Sequence, residues 1–207
     1  MPPLMPIYSM DAAPVSQDHA PQYKITSSGY LEDDTMGQKA MKSNAVSKMT
    51  AVNFSEMKIS RNPAETLVAF SIGAGIGITV FDPVSAVGGI LNFILPDSTS
   101  INGHDSEKVP LMFADTGVPF FINAIFEQGA RPESLKVVVA GGAHIMDQTG
   151  AFNIGQKNFE ALKICLVGYE IRTHHEDVGG TNSRTLSLEI GSGCSSIRVF
   201  GQGEVRV

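Results

Sequence analysis

The chain has no excess of basic residues. Fifteen Lys and Arg stand against 21 Asp and Glu in 207 residues, a formal charge of −6. A surface of that sign does not attract a phosphate backbone, so nucleic acid is not an expected partner. Cysteine is scarce: two in a chain of this length do not make a disulfide framework. The opening residues, Met1 to Asp11, hold neither the basic nor the apolar segment of a signal peptide. No stretch reaches the roughly 18 to 20 unbroken apolar residues that span a bilayer, because glycines and Asp82-Pro83 interrupt the longest run. These absences predict a soluble cytoplasmic protein with no membrane insertion.

What is present is that longest apolar run, residues 66–98. It reads as strands over 66–70 and 76–81, a turn at Asp82-Pro83-Val84-Ser85, and a third strand over 87–95. Near-continuous apolar strands are covered on both faces, which places this run at the centre of a core. Upstream, residues 1–48 are rich in Pro, Ser, Met and Gln without helical or strand period, and read as a disordered N-terminal extension. The folded domain is expected over 49–207, with order beginning near Ala51 and a strand within 52–60. Residues 98–110 read as a polar surface loop.

Two helices follow. The first has Asp115 as its expected N-cap, Pro119 in its first turn, a stripe of Val118, Phe121, Ile122, Ile125 and Phe126, and Gly129 as its stop. The second opens on an Asn153/Gln156 capping pair, buries Phe159, Leu162, Ile164, Cys165 and Leu166, and ends at Gly168. Between them lies a strand over 135–140. Short strands are expected at 169–173, 185–190, 196–200 and 204–207, with a loop over 176–181. The pattern predicts an α/β fold: layered mixed β-sheets with two long helices packed outside.

Several motifs suggest chemistry that their spacing denies. Gly73-Ala74-Gly75-Ile76-Gly77 lacks the spacing and the following helix of a dinucleotide loop, and reads as a strand junction of close approach. His174 and His175 are adjacent on an extended segment and point to opposite faces, so they do not share a metal ion. Cys165 falls on a helix's apolar face and reads as inert packing. Cys194 sits in a Gly/Ser turn with no histidine near in sequence. No cofactor or metal is expected.

Taken together, Asn62-Pro63, the Asp82-Pro83 turn, Val87-Gly88-Gly89, Leu95-Pro96-Asp97-Ser98, Ala114-Asp115-Thr116, Gly129-Ala130, Ala140-Gly141-Gly142-Ala143, Asn153-Ile154-Gly155 with Asn158, and Glu176-Asp177-Val178-Gly179-Gly180 form one ordered series. Over residues 52–184 the chain resembles the CheD family, the chemoreceptor glutamine deamidases of chemotaxis. The resemblance implies a cysteine thiolate that attacks a receptor glutamine amide, a histidine that activates it and protonates ammonia, and an assisting threonine. It places Gly75 at the cysteine position, Asn92 at the histidine position and Ala69 at the threonine position. None of these side chains can perform the corresponding step. The resemblance therefore implies a deamidase homologue without activity that acts by binding chemoreceptor helices or a CheC-like phosphatase. An active deamidase using another nucleophile is the alternative; Thr79 and Ser71 each lie about 13 Å along the strand from Gly75. Gly75 and Asn92 are expected to line a shallow apolar pocket. The loop from Gly141 to Gly155, with His144, Met146 and Phe152 protruding, is the expected partner-binding surface.

Overall fold

Two of the strands read from the sequence, 76–81 and 87–95, turn out to be the buried centre on which everything else packs. A computed structural model describes residues 48–100, 108–145, 152–199 and 201–207, all within the unit Ser43–Val207. The extension at residues 1–47 and Met146 lie outside the described residues. The chain forms β1 (Lys48–Ala51), β2 (Glu56–Ser60), β3 (Glu65–Ile72), β4 (Ile76–Asp82), β5 (Val87–Phe93), α1 (Ala114–Glu127), β6 (Lys136–Gly141), α2 (Ile154–Gly168), β7 (His175–Val178), β8 (Arg184–Glu189), β9 (Cys194–Val199) and β10 (Gly203–Arg206).

The strands make two mixed sheets of five. The central sheet runs β2-β5-β4-β6-β7 and the outer sheet β1-β3-β8-β9-β10. Each carries one parallel pair, β6 with β7 and β1 with β3. This is the layered mixed-sheet α/β architecture that the sequence predicts, with both helices on one face of the central sheet.

Side-chain alternation divides the interior into two cores. Ile76, Ile78 and Val80 of β4, with Val137 and Val139 of β6, meet Val118, Phe121, Ile122 and Ile125 of α1 and Leu162 and Leu166 of α2. Their neighbours in the chain, Phe81, Val138 and Ala140, face Leu67, Ala69, Leu186 and Leu188 of the outer sheet. Every residue of β4 and β5 is buried, as strands covered on both faces require. Deep between the sheets the Thr79 and Ser195 hydroxyls lie 2.8 Å apart, both buried.

Several local expectations are corrected. α1 begins at Ala114 with Phe113 as N-cap, because Asp115 is engaged by Ser98, whose N–H and hydroxyl it accepts at 3.0 and 2.8 Å. Pro119 consequently lies inside the helix, beyond its first turn. Asn153 does hold the N-cap position of α2, but in left-handed geometry (φ 48°), and its amide donates to the Gln156 side chain at 2.6 Å instead of capping backbone. Ile164 is 75% exposed: it projects away from the face carrying Leu162 and Leu166. The strand expected over 169–173 is the helix's closing turn. There Glu170 (φ 58°) and Ile171 donate to Val167 and Leu166, and the strand starts only at His175 and runs into the segment read as a loop.

Candidate functional site

The site is built where backbone approaches backbone. The β3–β4 connection presents three successive carbonyls, and each is held. Gly73 O accepts from Ala143 N–H at 2.9 Å, Gly75 O from Gly142 N–H at 2.8 Å, and Ala74 O from the Asn158 amide at 2.9 Å. Asn158, fully buried in α2, also donates to Ile94 O at 3.0 Å, so one side chain ties the ends of two strands to a helix. Such approach requires glycine. A Cβ on Gly141 (φ +124°) would come within 2.3 Å of Gly75 O, and one on Gly155 within 2.3 Å of Gly142 O.

The loop after β6 is fixed from its other side. His144 N–H donates to Gly180 O at 2.8 Å. The Gly179-Gly180 turn is gripped in turn by the buried Arg184 guanidinium, which bonds Gly179 O, Asn182 O at 2.7 Å and the Asp177 carboxylate at 2.8 Å. Removing the guanidinium would leave the turn held by backbone alone, through Gly179 N–H to Gly141 O at 2.9 Å and His144 N–H to Gly180 O.

These segments surround a cavity of about 710 Å³. Ser71, Gly73, Ala74 and Gly75 form one wall, and Ala143, His144 and Ile145 another. Ile154 and Gly155 of α2 close the third side, and Phe54 and Phe152 stand at the rim, 55% and 71% exposed. The lining is predominantly apolar, with a hydroxyl and an imidazole as its polar side chains, the usual composition of a small-molecule or side-chain pocket. Ser71 holds a left-handed backbone (φ 55°) at an irregularity in β3, which turns it out of the strand.

The structure brings Gly75, His144 and Phe152 to this one cavity and leaves Ala69 and Asn92 out of it. Ala69 is fully buried between the sheets, opposite Leu186. Asn92, paired with Gly77 in β5, points to the same inter-sheet side, and its side-chain oxygen has no hydrogen-bond partner among the described residues. The expectation that Asn92 lines the pocket is therefore corrected; Ile94, two residues on, does so. Gly75 is closely packed: a Cβ there would meet Phe93 O at 2.6 Å.

Neither sulfur reaches the cavity. Cys165 lies on α2 with its thiol toward Ala114 O at 3.6 Å, and burial, aided by the Asp115 charge, pushes its pKa up. Cys194 lies on the outer sheet beside Arg206 Nε at 3.4 Å. Thr79 is bonded to Ser195 between the sheets and does not line the cavity. His175 opens the far strand of the central sheet, and His174 just ahead of it accepts the Val137 N–H through Nδ1 at 3.2 Å. Sequence reasoning missed Phe54 and Ile145, and it missed the anchoring roles of Asn158 and Arg184. An exposed aromatic just ahead of β2 was the available signal for Phe54.

This arrangement of strand junction, glycine contacts and helix start can be compared with known proteins. The model of the family described as CheD chemotactic sensory transduction matches residues 94–199. A Solibacter usitatus protein named probable chemoreceptor glutamine deamidase CheD is 41% identical over 142 residues, covering 69% of this chain and 83% of that protein. The chain belongs to the CheD family. Two further CheD relatives, both named probable chemoreceptor glutamine deamidases, are similar over most of their length. The one from Syntrophus aciditrophicus is 39% identical over 72% of this chain and 93% of its own. The one from Symbiobacterium thermophilum is 35% identical over 76% and 96%. A slight likeness to the crystal structure of Bacillus licheniformis hypothetical protein YfiH (TM-score 0.35, 15% identity) covers 58% of this chain and 49% of that one. Among the described residues no helix is long and apolar enough to cross a membrane.

Proposed function

We propose that this CheD-family chain is a chemotaxis protein without deamidase activity, acting by binding chemoreceptor helices or a CheC-type phosphatase through its cavity and the loop above it. One observation carries the reading. Gly75, which the resemblance places at the family's nucleophile position, lies in the cavity wall, where Phe93 O occupies the space that a side chain would need. The position has no attacking atom, and the surrounding backbone has no room for one. Supporting it, both thiols lie outside the cavity. The Asn92 carboxamide is neither a base near neutral pH nor part of the lining.

Binding needs a surface, and the cavity offers one. Phe54 and Phe152 are exposed aromatic groups lining an apolar cavity together with His144; aromatic anchors around a pocket are typical of interface hot spots. The test is to titrate a receptor cytoplasmic fragment and a CheC-type phosphatase into the protein by calorimetry while following ammonia release. Binding of at least one, weakened tenfold or more by Phe152→Ala and without ammonia, is expected. Ammonia release at enzymatic rates, or binding of neither, contradicts the proposal.

A second reading, hydrolysis through a hydroxyl, has one observation in its favour: Ser71 and His144 line the same cavity. No hydrogen bond joins them, so the hydroxyl is not activated in this arrangement. If ammonia is released, Ser71→Ala must abolish it for this reading to stand.

A further inference from the structure

Among the described residues the outer sheet ends in an uncovered strand. β10 pairs with β9 alone, and residues 201–207 are all exposed. The family match stops at residue 199, the end of β9, so β10 lies outside it. The register decides which backbone groups are already used. Val207 and Ser195 exchange both N–H···O bonds, at 2.8 and 3.0 Å. Bonded and non-bonded pairs alternate along an antiparallel ladder. Val205 therefore directs its polar groups at Ile197, while those of Glu204 and Arg206 point away from the sheet.

The side chains of that edge are self-complementary. Glu204 and Arg206 share the outer face; Glu204 accepts from Arg198 Nη2 at 2.7 Å, and Arg206 Nη2 meets Glu189 at 2.8 Å. Val205 projects from the opposite face and is 53% exposed. Set a second copy's β10 antiparallel to the first, with Val205 facing Val205. Glu204 of each copy then stands opposite Arg206 of the other. Both residues' outward N–H and C=O groups meet in hydrogen-bonded pairs. The valines fall in the intervening non-bonded pair, where side chains approach closest. On the outer face the charges alternate across the junction: Arg198, Glu204, then Arg206 of the second copy. A slip of two residues sets Glu204 against Glu204 or Arg206 against Arg206, and a slip of one turns bonded groups away. Charge and backbone thus select the same register. Edge charges ordinarily keep strands apart; here they repel a copy in the wrong register and accept one in the right register.

We propose that the chain self-associates through β10, joining two outer sheets across a twofold axis. A four-residue edge buries far less than the roughly 1,200 Å² of a stable interface, so the association is reversible and concentration-dependent. Sedimentation equilibrium of the full chain over a wide concentration range tests it, with circular dichroism verifying that each variant is folded. The parent is expected to rise from monomer toward twice the monomer mass. Glu204→Arg and Arg206→Glu are each expected to remain monomeric, because each sets like charges opposite one another. An equimolar mixture of the two variants is expected to associate, since every cross-pair is then of opposite sign, and the double variant carrying both changes is expected to behave as the parent. A parent that stays monomeric at its highest soluble concentration overturns the proposal. So do single variants that associate like the parent, or folded single variants whose mixture stays monomeric. None of these outcomes depends on what the cavity binds.

Discussion

The two sheets are equal in strand number and opposite in character. The central sheet is covered twice, by helices on one face and by the outer sheet on the other, and β4 and β5 contain no exposed residue. The outer sheet is covered once; β8 alternates buried and half-buried residues, and Met49 and Phe70 stand on its free side, 65% and 49% exposed. The cavity lies at the end of the central sheet, where glycine contacts bring its walls together. The outer sheet, among the described residues, leaves one face and the β10 edge open for other contacts.

The sharpest way to break the comparison is to truncate one phenylalanine in each sheet. Phe93→Ala, in a fully buried position, should lower unfolding stability by about 3–5 kcal/mol. Phe70→Ala, half-exposed on the outer face, should cost less than about 1 kcal/mol. Urea midpoints of the two variants measure the difference; equal costs would mean that the outer sheet is as deeply packed as the central one.

A smaller effect is expected at the cavity wall. Gly75→Ala places a methyl against Phe93 O and should cost about 1–3 kcal/mol, since backbone must move to admit it. Gly168→Ala, where an added Cβ meets nothing within 4 Å, should be neutral or slightly stabilising. If Gly75→Ala is also neutral in a thermal melt, the wall is softer than its contacts indicate.

Asn92 sharpens the comparison from within the central sheet. Its buried side-chain oxygen has no described partner, a deficit worth about 1 kcal/mol or more. Asn92→Leu should therefore match or exceed the parent in stability by about 1 kcal/mol. A clear loss would reveal that the amide is satisfied by something bound there.

The least effect belongs to acid. Glu65, at the start of β3, accepts hydroxyls from Ser60 and Thr50 at 2.5 Å each, with Lys48 at 3.4 Å adding charge; these hold its pKa below the ordinary 4.5. The stabilisation is present above the unfolded-state value and is lost as pH falls through the lower folded-state value. Glu65→Gln should flatten that part of the stability–pH curve, measured by urea unfolding at stepped pH, and leave the region above pH 5 nearly level.

Much of the central sheet was legible because its signals are local. β4 and β5 are apolar runs joined by an Asp-Pro turn whose carboxylate accepts from Val84 N–H and the Ser85 hydroxyl. The α1 stripe of Val118, Phe121, Ile122 and Ile125 is buried where a period of 3.6 places it. What escaped depends on distant partners. Asp115 looks like a cap until Ser98 claims it, and β1 pairs with β3 in a parallel register that no nearby residue announces. At the site, the glycine motifs marked the walls, and Gly75, His144 and Phe152 do converge. Ser71 was named, but at a distance along the strand from Gly75; that both line one cavity could not be read, since its outward turn comes from backbone irregularity and not from residue type. The orientation of Asn92 was hidden for a related reason: alternation assigns faces only once the pairing with Gly77 is known.

The central claim, that a glycine wedged against Phe93 O has replaced chemistry by binding, is tested most directly by mass spectrometry. A receptor cytoplasmic fragment is incubated with a stoichiometric amount of the purified chain, with an active CheD relative as the positive control. The account predicts conversion of glutamine to glutamate by the relative and an unchanged fragment with this chain, even after long incubation. Site-specific conversion by this chain, lost on Ser71→Ala or on any other single substitution in the cavity wall, would contradict it.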